Sequence, residues 1–542
     1  MLIFVAKKRQ RTGIAFILTM IILTIIAAFA VAMASLASTS VQITDNRQKA
    51  GSALSAAQSG IDYAKYFAAN VNASLPSTTN NIVSSVEANA VWAVLCQKLQ
   101  NDNTDILSVS SSGTFADSAG GGTQITTNPV SIDADTSFSL RFFRYNALPN
   151  IIKIRVIGTD NAITKTIEMQ MRIQKDSEVL HYAIAGRGRI IVTGDSTING
   201  PVFSTWRKIN WKPPVETTSE TTVNGSLSTV LTKQQLADAG WQLATTDALG
   251  QPLLDADGNI IHTAGDTIQG YYEGVNYAQS ADTMPGLSEN DYDTSSYKTI
   301  CTATIPVSST TQREYFPHEP GDYTVKKDTG GYRFDRYVYN NQTFTNAKLP
   351  GGRNALFTNC TFNEVLFIQS SSFSSSTTKC NNVRFDNCTF NGVIVTDIPK
   401  NSSIQWIQNC LYFTGTANFN NTSSIQEATI LAPNFNVNLG NTAVVEDGES
   451  STLTGAIVGG IVDIRGNAEI NGTIISTYDT NAHSEGYVSN IGFADDGGSE
   501  GGLPEDVGTI HITPSPDNLL PSGIATPIVI TTLQSTYSEI NN

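Results

Sequence analysis

The chain opens with an apolar stretch that is long enough to cross a membrane as one helix. Between Ile14 and Ala34 there are 21 residues without a charge, and only Thr19 and Thr24 are polar. A helix rises about 1.5 Å per residue, so the stretch matches a hydrocarbon core of about 30 Å. The basic residues of the N-terminus precede it, and the positive-inside rule therefore places Met1–Thr12 in the cytoplasm and the body of the chain outside.

Beyond the apolar stretch, the small and apolar residues take up a helical spacing. They recur at alternating intervals of four and three residues, which is typical of a helix that packs on a second element. The positions are Ala50, Leu54, Ala57, Ile61, Ala64 and Ala68. We therefore predict one long helix over residues 14–70, although the spacing does not name what its second part packs on.

Residues 71–177 carry the pattern of a small α+β domain. A short helix comes first, and Gly113–Thr127, which holds three consecutive glycines, is predicted to be a loop. Alternation of apolar and polar residues then predicts three strands, with a turn at Gly158–Asn161 between the last two. The apolar positions of the helix are Val83, Val86, Ala90 and Ala93, and those of the strands are Phe138, Leu140, Phe142, Ile152, Ile154, Val156, Ile167, Met169, Met171 and Ile173.

The chain repeats itself in the region that follows. Residues 357–363 read FTNCTFN and recur at 385–391 as FDNCTFN, 28 positions later, and a weaker copy ends at Cys410. Coils of this length are typical of a parallel β-helix, in which each turn lies about 4.8 Å from the last. Like residues then lie over like, so we predict that Phe and Cys point inward and that Asn occupies corners with left-handed backbone.

A second repeat links two distant parts of the chain. Residues 194–204 read GDSTINGPVFS, and residues 466–476 read GNAEINGTIIS, 272 positions later. We interpret both as rungs of one solenoid over residues 178–510. An insertion of about 206–350 then separates them, and residues 511–542 form a C-terminal tail with one short strand.

The residues around the start of the apolar stretch carry a family resemblance. From Lys7 to Leu18 the chain reads KKRQRTGIAFIL, which resembles a type IV prepilin leader. The resemblance implies a leader of residues 1–13, cut after Gly13 by a prepilin peptidase that also methylates Ile14. It covers about the first seventy residues, and PilX-type minor pilins are the most similar group. The basic residues of the leader are Lys7, Lys8, Arg9 and Arg11.

One position departs from the family pattern. Most pilins have Glu at the fifth mature position, where it is thought to pair with the N-terminal amine of a neighbouring subunit during assembly. This chain has Leu18 there. The absence of that Glu resembles the pseudopilin K group of type II secretion, which caps a filament tip.

The resemblance also sets expectations for architecture and partners. Together with the repeats, it predicts a mainly β protein with a long N-terminal α-helix, in which a pilin-like α+β stalk precedes the parallel β-helix with its long insertions. Other pilin-like subunits would bind through the N-terminal helix. The chain would be a single-pass protein of the inner membrane before assembly, with its body periplasmic or extracellular, and would reach the cell surface in a pilus.

Composition and charge narrow the classes of ligand. The chain has 42 glycines, only 15% charged residues and a formal net charge of −15. Because phosphate binding needs clustered Lys and Arg, nucleic acid is excluded as a partner. Surface glycans remain a candidate class of ligand, because exposed Tyr, Trp and Asn side chains could bind them.

The six cysteines do not form a metal site or a stapled framework. None of them has CxxC spacing, and they are sparse for a chain of this length. Stacked free thiols that act as small core residues are favoured, and disulfides between adjacent rungs are the alternative. These two alternatives apply to Cys360, Cys380, Cys388 and Cys410.

No motif for catalysis or for a cofactor is present. The histidines lie far apart, HExxH does not occur, and the GxSxG match at 497–501 falls in an acidic, Gly-rich stretch that is predicted to be a loop. Polysaccharide lyases and hydrolases with a β-helix fold offer the main enzymatic alternative, since they place carboxylates on one face of the solenoid. The candidates for such a cluster are Asp386, Asp397, Asp463 and Arg465. Charged residues at outward strand positions are also expected for solubility alone, so no catalytic, cofactor or metal site is predicted.

Two functions follow from these patterns. The first is a minor pilin or pseudopilin-like subunit of a type IV pilus or type II secretion-like filament, at the tip or in low copy, which displays the β-helix for adhesion or assembly. The alternative is a membrane-anchored surface β-helix protein that binds or cleaves polysaccharide.

Overall fold

The computed structural model divides the chain into two compact units. Unit 1 comprises residues 1–75, 85–174 and 529–542, and unit 2 comprises residues 76–84 and 175–528. The residues that the structure describes are 12–80, 82–101, 108–116, 120–176, 178–208, 213–217, 221–238, 274–280, 284–316, 318–319, 322–326, 332–370, 380–399, 408–420, 428–439, 451–465, 467–479, 488–492, 509–514 and 520–540.

Unit 1 is built on one very long helix, α1, which runs from Thr12 to Asn72. Its second part is buried on one face, and the predicted seam is confirmed at four of its positions, Ala57, Ile61, Ala64 and Ala68. Ala50 and Leu54, the first two positions of that seam, are half-buried. The face packs on the strands Thr136–Tyr145 and Ile151–Asp160 of an antiparallel sheet, which supplies the contact that the spacing could not name.

The remaining elements of unit 1 are a second helix and an antiparallel sheet. Helix α2 runs from Ser85 to Asn101. The last strand of the chain returns to this sheet beside Ile163–Lys175, and its backbone at Ile530 is hydrogen-bonded to the Asn72 side chain. The strands are Val109–Phe115, Gly122–Thr127, Val130–Ser131, Thr136–Tyr145, Ile151–Asp160, Ile163–Lys175 and, from Val529 onward, Thr526–Ile540.

Several sequence predictions for unit 1 need correction. The predicted loop Gly113–Thr127 is largely a hairpin, because its Thr and Ser residues suit strands even without apolar alternation. Helix α2 exists, but it buries a different face from the predicted one, with Val86 exposed and Trp92 buried. The turn lies at Asn161, whose φ of 50° is left-handed.

Two glycines let α1 approach the sheet closely. A Cβ atom at Gly60 would lie 2.5 Å from Cγ1 of Val156 and 2.8 Å from Cδ2 of Phe138. A Cβ atom at Gly158 would meet the helix backbone at Ala53 and Ala57. Gly158 was predicted to form a turn, but it lies inside a strand, where the missing side chain makes room for the helix.

Unit 2 is dominated by parallel strands that pair in register and form three series. Long strands run through two series each: Thr343–Leu349, Thr361–Ile368, Thr389–Thr396, Ala428–Leu439 and Ala456–Ile464. The first series is Tyr332–Asn340, Ala355–Thr358, Asn382–Asp386, Cys410–Thr414, 436–439, 461–464, Val488–Ile491, Arg189–Val192 and Val215–Thr217.

The other two series run alongside the first. The second is 343–345, 361–363, 389–391, Asn418–Asn420, Ser451–Thr454, Ala468–Asn471, Thr509–Thr513, Asp195–Ile198 and Thr222–Val223. The third is Ala303–Thr304, 347–349, 366–368, 394–396, 430–432, 457–459, Ile474–Ser476, Ile184–Gly186, Val202–Ser204, Ser226–Thr229 and Gly274–Asn276.

Short elements accompany the three series. Two strands make antiparallel contacts, Thr311–Phe316 with Tyr332–Asn340 and Ser77–Thr78 with the start of Thr526–Ile540. A separate hairpin joins His318–Glu319 to Asp322–Lys326. The helical segments of unit 2 are Glu178–His181, Lys233–Asp238, Glu289–Asp291 and Ser295–Ile300.

The order of strands in the series differs from their order in the chain. Ile184–Gly186 and Arg189–Val192 are the first strands of the three series in chain order, yet they pair with Ile474–Ser476 and Val488–Ile491 near the end of unit 2. The two copies of the 272-residue repeat accordingly belong to one sheet and are separated by a single strand, Thr509–Thr513.

The predicted insertion and tail look different in the structure. Strands within 206–350, among them Val215–Thr217 and Tyr332–Asn340, are members of the series. In the predicted tail, Thr509–Thr513 belongs to the second series and Thr526–Ile540 is a long strand.

The 28-residue repeat produces two stacks of aromatic rings in the core. Tyr339, Phe357, Phe385 and Phe413 form the first stack, with centroids 4.8 to 5.4 Å apart. Phe344, Phe362, Phe390 and Phe419 form the second, with centroids 4.9 to 5.4 Å apart. Rings of the two stacks meet edge to face. The spacing within each stack follows the distance between paired strands, as the predicted ladder requires.

The asparagines of the repeat occupy the predicted left-handed positions. Asn359, Asn387 and Asn409 have φ angles of 51°, 51° and 50°. Asn tolerates this conformation better than other residues with a side chain, because its short amide can bond to nearby backbone. In accordance with this role, the Asn387 side chain accepts a hydrogen bond from the backbone N–H of Thr416, 2.9 Å away.

The cysteines of unit 2 are free thiols within the core. Cys360, Cys380, Cys388 and Cys410 are all buried. The Cys360 thiol donates to the carbonyl of Tyr339, and the Cys388 thiol donates to that of Phe357. Burial raises the pKa of Cys388 and of Cys410 to about 12. These thiols therefore act as small neutral core residues.

Paired glycine substitutions in α1 should separate packing from helix propensity. Gly51→Ala has nothing within 4 Å of its new Cβ and should raise the free energy of unfolding of unit 1 by about 0.5–1 kcal/mol. Gly60→Ala gains the same propensity but overpacks the sheet, so it should lower that free energy by about 1–3 kcal/mol. Hydrogen exchange of the Ile151–Asp160 amides would measure both, and equal effects would contradict the close packing.

Unit 2 should lose stability in alkali through its thiols. A thiol with a pKa near 9 in the unfolded chain and about 12 in the fold ionises first in the unfolded chain, so stability present below pH 9 is lost as pH rises toward 12. Cys388→Ala should reduce the decline between pH 8 and 11 by about 2–3 kcal/mol. Urea denaturation at each pH under reducing conditions measures this, and an unchanged decline would contradict it.

Candidate assembly helix and outward strand face

The first part of α1 exposes apolar side chains on every side. Large residues from Ile14 to Ile43 are 48% to 75% exposed, whereas the second part buries its seam. This part of α1 is long and apolar enough to cross a membrane. A helix that is apolar all round is stable only inside a bilayer or among other helices.

The polar groups within this apolar part are satisfied by the helix itself. The Thr19 hydroxyl donates to the carbonyl of Ala15 at 2.7 Å, and the Thr24 hydroxyl donates to that of Met20 at 2.8 Å. Such bonds remove the cost of placing a hydroxyl in an apolar medium. The first ion pair, between Asp45 and Lys49 at 2.6 Å, comes just before the buried seam begins.

The structure places some of the predicted processing residues and not others. Gly13 and Ile14 lie in the first turn of α1, and Ile14 is 75% exposed. Leu18 is 58% exposed on the same apolar part of the helix. The basic residues of the leader, Lys7, Lys8, Arg9 and Arg11, lie outside the described residues.

The carboxylates proposed as an enzymatic cluster each face a different cation. Lys298 binds Asp397 at 3.0 Å, and Arg465 binds Asp463 at 2.8 Å. Asp386 lies 3.4 Å from Arg384 and accepts a hydrogen bond from the Thr414 hydroxyl. The geometry of the described side chains therefore consists of separate ion pairs. Among the residues described, no three His, Cys, Asp or Glu side chains come together as a metal site.

A cavity of about 530 Å³ in unit 2 is lined by polar and apolar side chains, and several of the polar ones bind other groups of the protein. Arg187 pairs with Glu289 at 2.5 Å and with Asp479 at 2.8 Å. The Asp291 carboxylate accepts hydrogen bonds from the backbone N–H groups of Gly286 and Ser288. Charge in this cavity is thus largely balanced within the protein.

A buried ion cluster fixes the antiparallel strand Thr311–Phe316. Glu314 is fully buried, and its carboxylate lies 2.7 Å from Arg336 and 2.8 Å from Arg384. The guanidinium of Arg336 also donates to the carbonyl and the side chain of Asn382. Because a buried charge is costly unless it is paired, removal of Glu314 would leave two adjacent buried cations. The cluster is structural, and periodicity gave no sign of it.

The second strand series presents two ranks of outward side chains. In each of its strands, a residue that is buried, or half-buried in the case of Phe344, lies between two exposed or half-buried ones. All the outward residues are Thr or Asn except Glu469 and His511. The pairs are Thr343 and Thr345, Thr361 and Asn363, Thr389 and Asn391, Asn418 and Asn420, Thr452 and Thr454, Glu469 and Asn471, His511 and Thr513, Thr197 and Asn199, and Thr222 and Asn224.

Hydrogen bonds along the stack orient the Asn rank. The Asn391 side-chain N–H donates to the side-chain oxygen of Asn363 at 2.9 Å, and the Asn420 side-chain N–H donates to that of Asn391 at 3.0 Å. The same ladder continues elsewhere, since Asn224 donates to Asn199 at 2.9 Å. Each donating amide uses one N–H for the hydrogen bond to the next Asn of the ladder, and its second N–H can bind a ligand at the surface. The outward Thr and Asn pattern was visible as T-F-N at 361–363 and 389–391, but sequence reasoning used only its inward residues.

Comparisons with known proteins add little to this geometry. No family model matches the sequence, and no curated protein matches it. Among solved structures, the chain is similar to the competence-associated pilin ComZ from Thermus thermophilus at 10% identity. That match covers 84% of this chain and 96% of the other, with a TM-score of 0.27.

Proposed function

We propose that this chain is a minor pilin-like subunit that enters a filament through α1 and displays unit 2 outside the cell. The observation that carries the proposal is the division of α1 into a fully exposed apolar part and a part whose seam is buried on an antiparallel sheet. The prepilin-like leader at Gly13 and Ile14 supports the same interpretation.

The two parts of α1 suit the two states that a pilin-like subunit passes through. The apolar part can lie in the inner membrane before assembly, since its hydroxyls bond to the helix itself. In a filament, the same surface would be covered by the corresponding helices of neighbouring subunits. The buried seam meanwhile keeps the antiparallel sheet of unit 1 packed on the helix in either environment.

Unit 2 in this proposal is a parallel β-helix whose three strand series are its three faces. In-register parallel pairing, stacked rings and left-handed Asn corners all support a solenoid. A body of this size would crowd its neighbours if every subunit of a tightly packed shaft carried one. We therefore place the chain at the tip or in low copy, where it serves adhesion or assembly and not catalysis.

A membrane-anchored surface protein that binds polysaccharide is the second candidate. It needs the same helix and the same exposed strand face, but no processing after Gly13. The cleaving form of this alternative is less well supported, because Asp386, Asp397 and Asp463 each lie against a cation of their own and a glycosidase needs two carboxylates that face one bond.

The mature N-terminus tests the proposal directly. The chain isolated from its own cells should begin at N-methylated Ile14 by mass spectrometry of the intact protein. Gly13→Leu should leave the basic leader attached, because the peptidase cuts after a glycine in the family that the leader resembles. Gly51→Ala, a glycine change in the same helix, should be processed normally. A chain that begins at Met1, or after Ala34, would exclude assembly by this route.

A charge at position 18 should change how often the chain enters filaments. Leu18→Glu supplies the carboxylate that most pilins use to pair with a neighbouring amine, so the amount of this chain per sheared filament should rise several-fold. Leu18→Gln adds polarity and similar volume without charge and should not raise it. Quantitative immunoblotting of the filament fraction measures the ratio, and equal behaviour of the two variants would show that this ion pair does not limit entry.

A further inference from the structure

The outward ranks of the second strand series differ in charge from the rest of this acidic chain. Among the outward pairs of the second series named above, the ionisable side chains are those of Glu469 and His511. The chain as a whole carries a formal charge of −15. A face that is nearly neutral on an acidic protein suits an uncharged occupant, since neither a polyanion nor a polycation would find complementary charge there.

None of the outward residues in these pairs is aromatic. Where a ring lies between two outward residues, it belongs to the core stack, as Phe362 and Phe390 do. Occupants with apolar faces, including sugar rings, would therefore meet mainly threonine methyl groups and small polar side chains. Thr hydroxyls and Asn amides both donate and accept hydrogen bonds, and water molecules bind one another in the same way.

The outward side chains are already held in place before anything binds. Thr is stiff at χ1, and the Asn side chains are tied to one another along the stack. An occupant would therefore cost little further side-chain entropy, which matters when each contact is weak and many must form together.

The spacing of the ranks decides between possible occupants. Paired strands lie about 4.8 Å apart, and outward residues two apart in one strand lie about 6.6 Å apart. Water molecules joined tetrahedrally by O–H···O bonds of about 2.75 Å place second neighbours about 4.5 Å apart, and the hexagonal lattice repeats along its axis at about 7.3 Å. The strand spacing and the second-neighbour spacing of water therefore differ by about 0.3 Å per strand. Over about six strand steps this difference adds up to less than half of the water spacing of about 4.5 Å.

We propose that the Thr and Asn ranks of the second strand series bind the ordered water lattice of an ice surface. Hydroxyl and amide groups at this spacing would anchor lattice water, and the threonine methyl groups would occupy the gaps between the anchoring oxygens. This inference goes beyond the proposed function, because it concerns unit 2 as a binding surface and does not require filament assembly.

Partition into ice tests the proposal on the full chain. The protein, held in detergent, is frozen slowly onto a cold surface together with a bystander protein of similar size, and the fraction of each in the ice is measured. The expected result is that the chain enters the ice at several times the fraction of the bystander. Exclusion to the same degree as the bystander would overturn the proposal.

Substitutions within the ranks give the matched comparison. Thr389→Lys with Thr452→Lys places two long charged side chains among the ranks and should bring the ice fraction down to that of the bystander. Thr299→Lys with Thr302→Lys makes the same chemical change at exposed positions outside the ranks and should leave it unchanged. Thr389→Ala with Thr452→Ala, which adds no bulk, should give an intermediate fraction, and circular dichroism melting shows that each variant is folded.

Two further outcomes would overturn the proposal. Equal loss in both double lysine variants would show that added charge, and not the ranks, controls the ice fraction. Binding of the wild-type chain to insoluble chitin or cellulose, together with exclusion from ice, would assign the face to a neutral polysaccharide. Since both are read on single subunits, failure here is distinct from failure of the N-terminal processing experiment.

Discussion

In-register parallel pairing is the constraint on which the structure of unit 2 depends. When a strand pairs with the next one without a shift, each side chain lies over the residue in the same position one strand earlier, about 4.8 Å away. Phe357 over Phe385, and Phe362 over Phe390, are direct consequences. A slip of one residue would turn both ring stacks outward and bury Thr and Asn in their place. The aromatic core, the left-handed asparagines and the outward ranks therefore all follow from the same in-register pairing, at inward, corner and outward positions of the repeat.

The long helix obeys a different constraint, which changes along its length. Its second part must leave room for the sheet, and Gly60 from the helix and Gly158 from the strand remove the side chains that would prevent the approach. Its first part has no sheet to pack on and carries apolar residues on all sides. That surface is stable in a membrane or among like helices, and it links the local chemistry of α1 to the proposed assembly.

Charges in unit 2 are used mainly to hold the protein together. Glu314 lies between Arg336 and Arg384 in the interior, and Arg187 joins two carboxylates at the polar cavity. The carboxylates Asp386, Asp397 and Asp463 are each neutralised in separate places. What the second series presents to solvent is instead a nearly neutral pattern of hydroxyl and amide groups.

The sequence by itself determined what depends on neighbours in the chain. The apolar run from Ile14, the seam through Ala57 and Ile61, and the stacking of the 28-residue repeat all follow from local spacing, because helices and strands impose fixed periods on their side chains. Tertiary structure alone decided which strands lie side by side. The pairing of Ile184–Gly186 with Ile474–Ser476, the return of the last strand to unit 1 and the burial of Glu314 join residues that are far apart in the chain. Such contacts depend on the whole fold and leave no period in the sequence, so the outward ranks became visible as a continuous face only when the strand order was known.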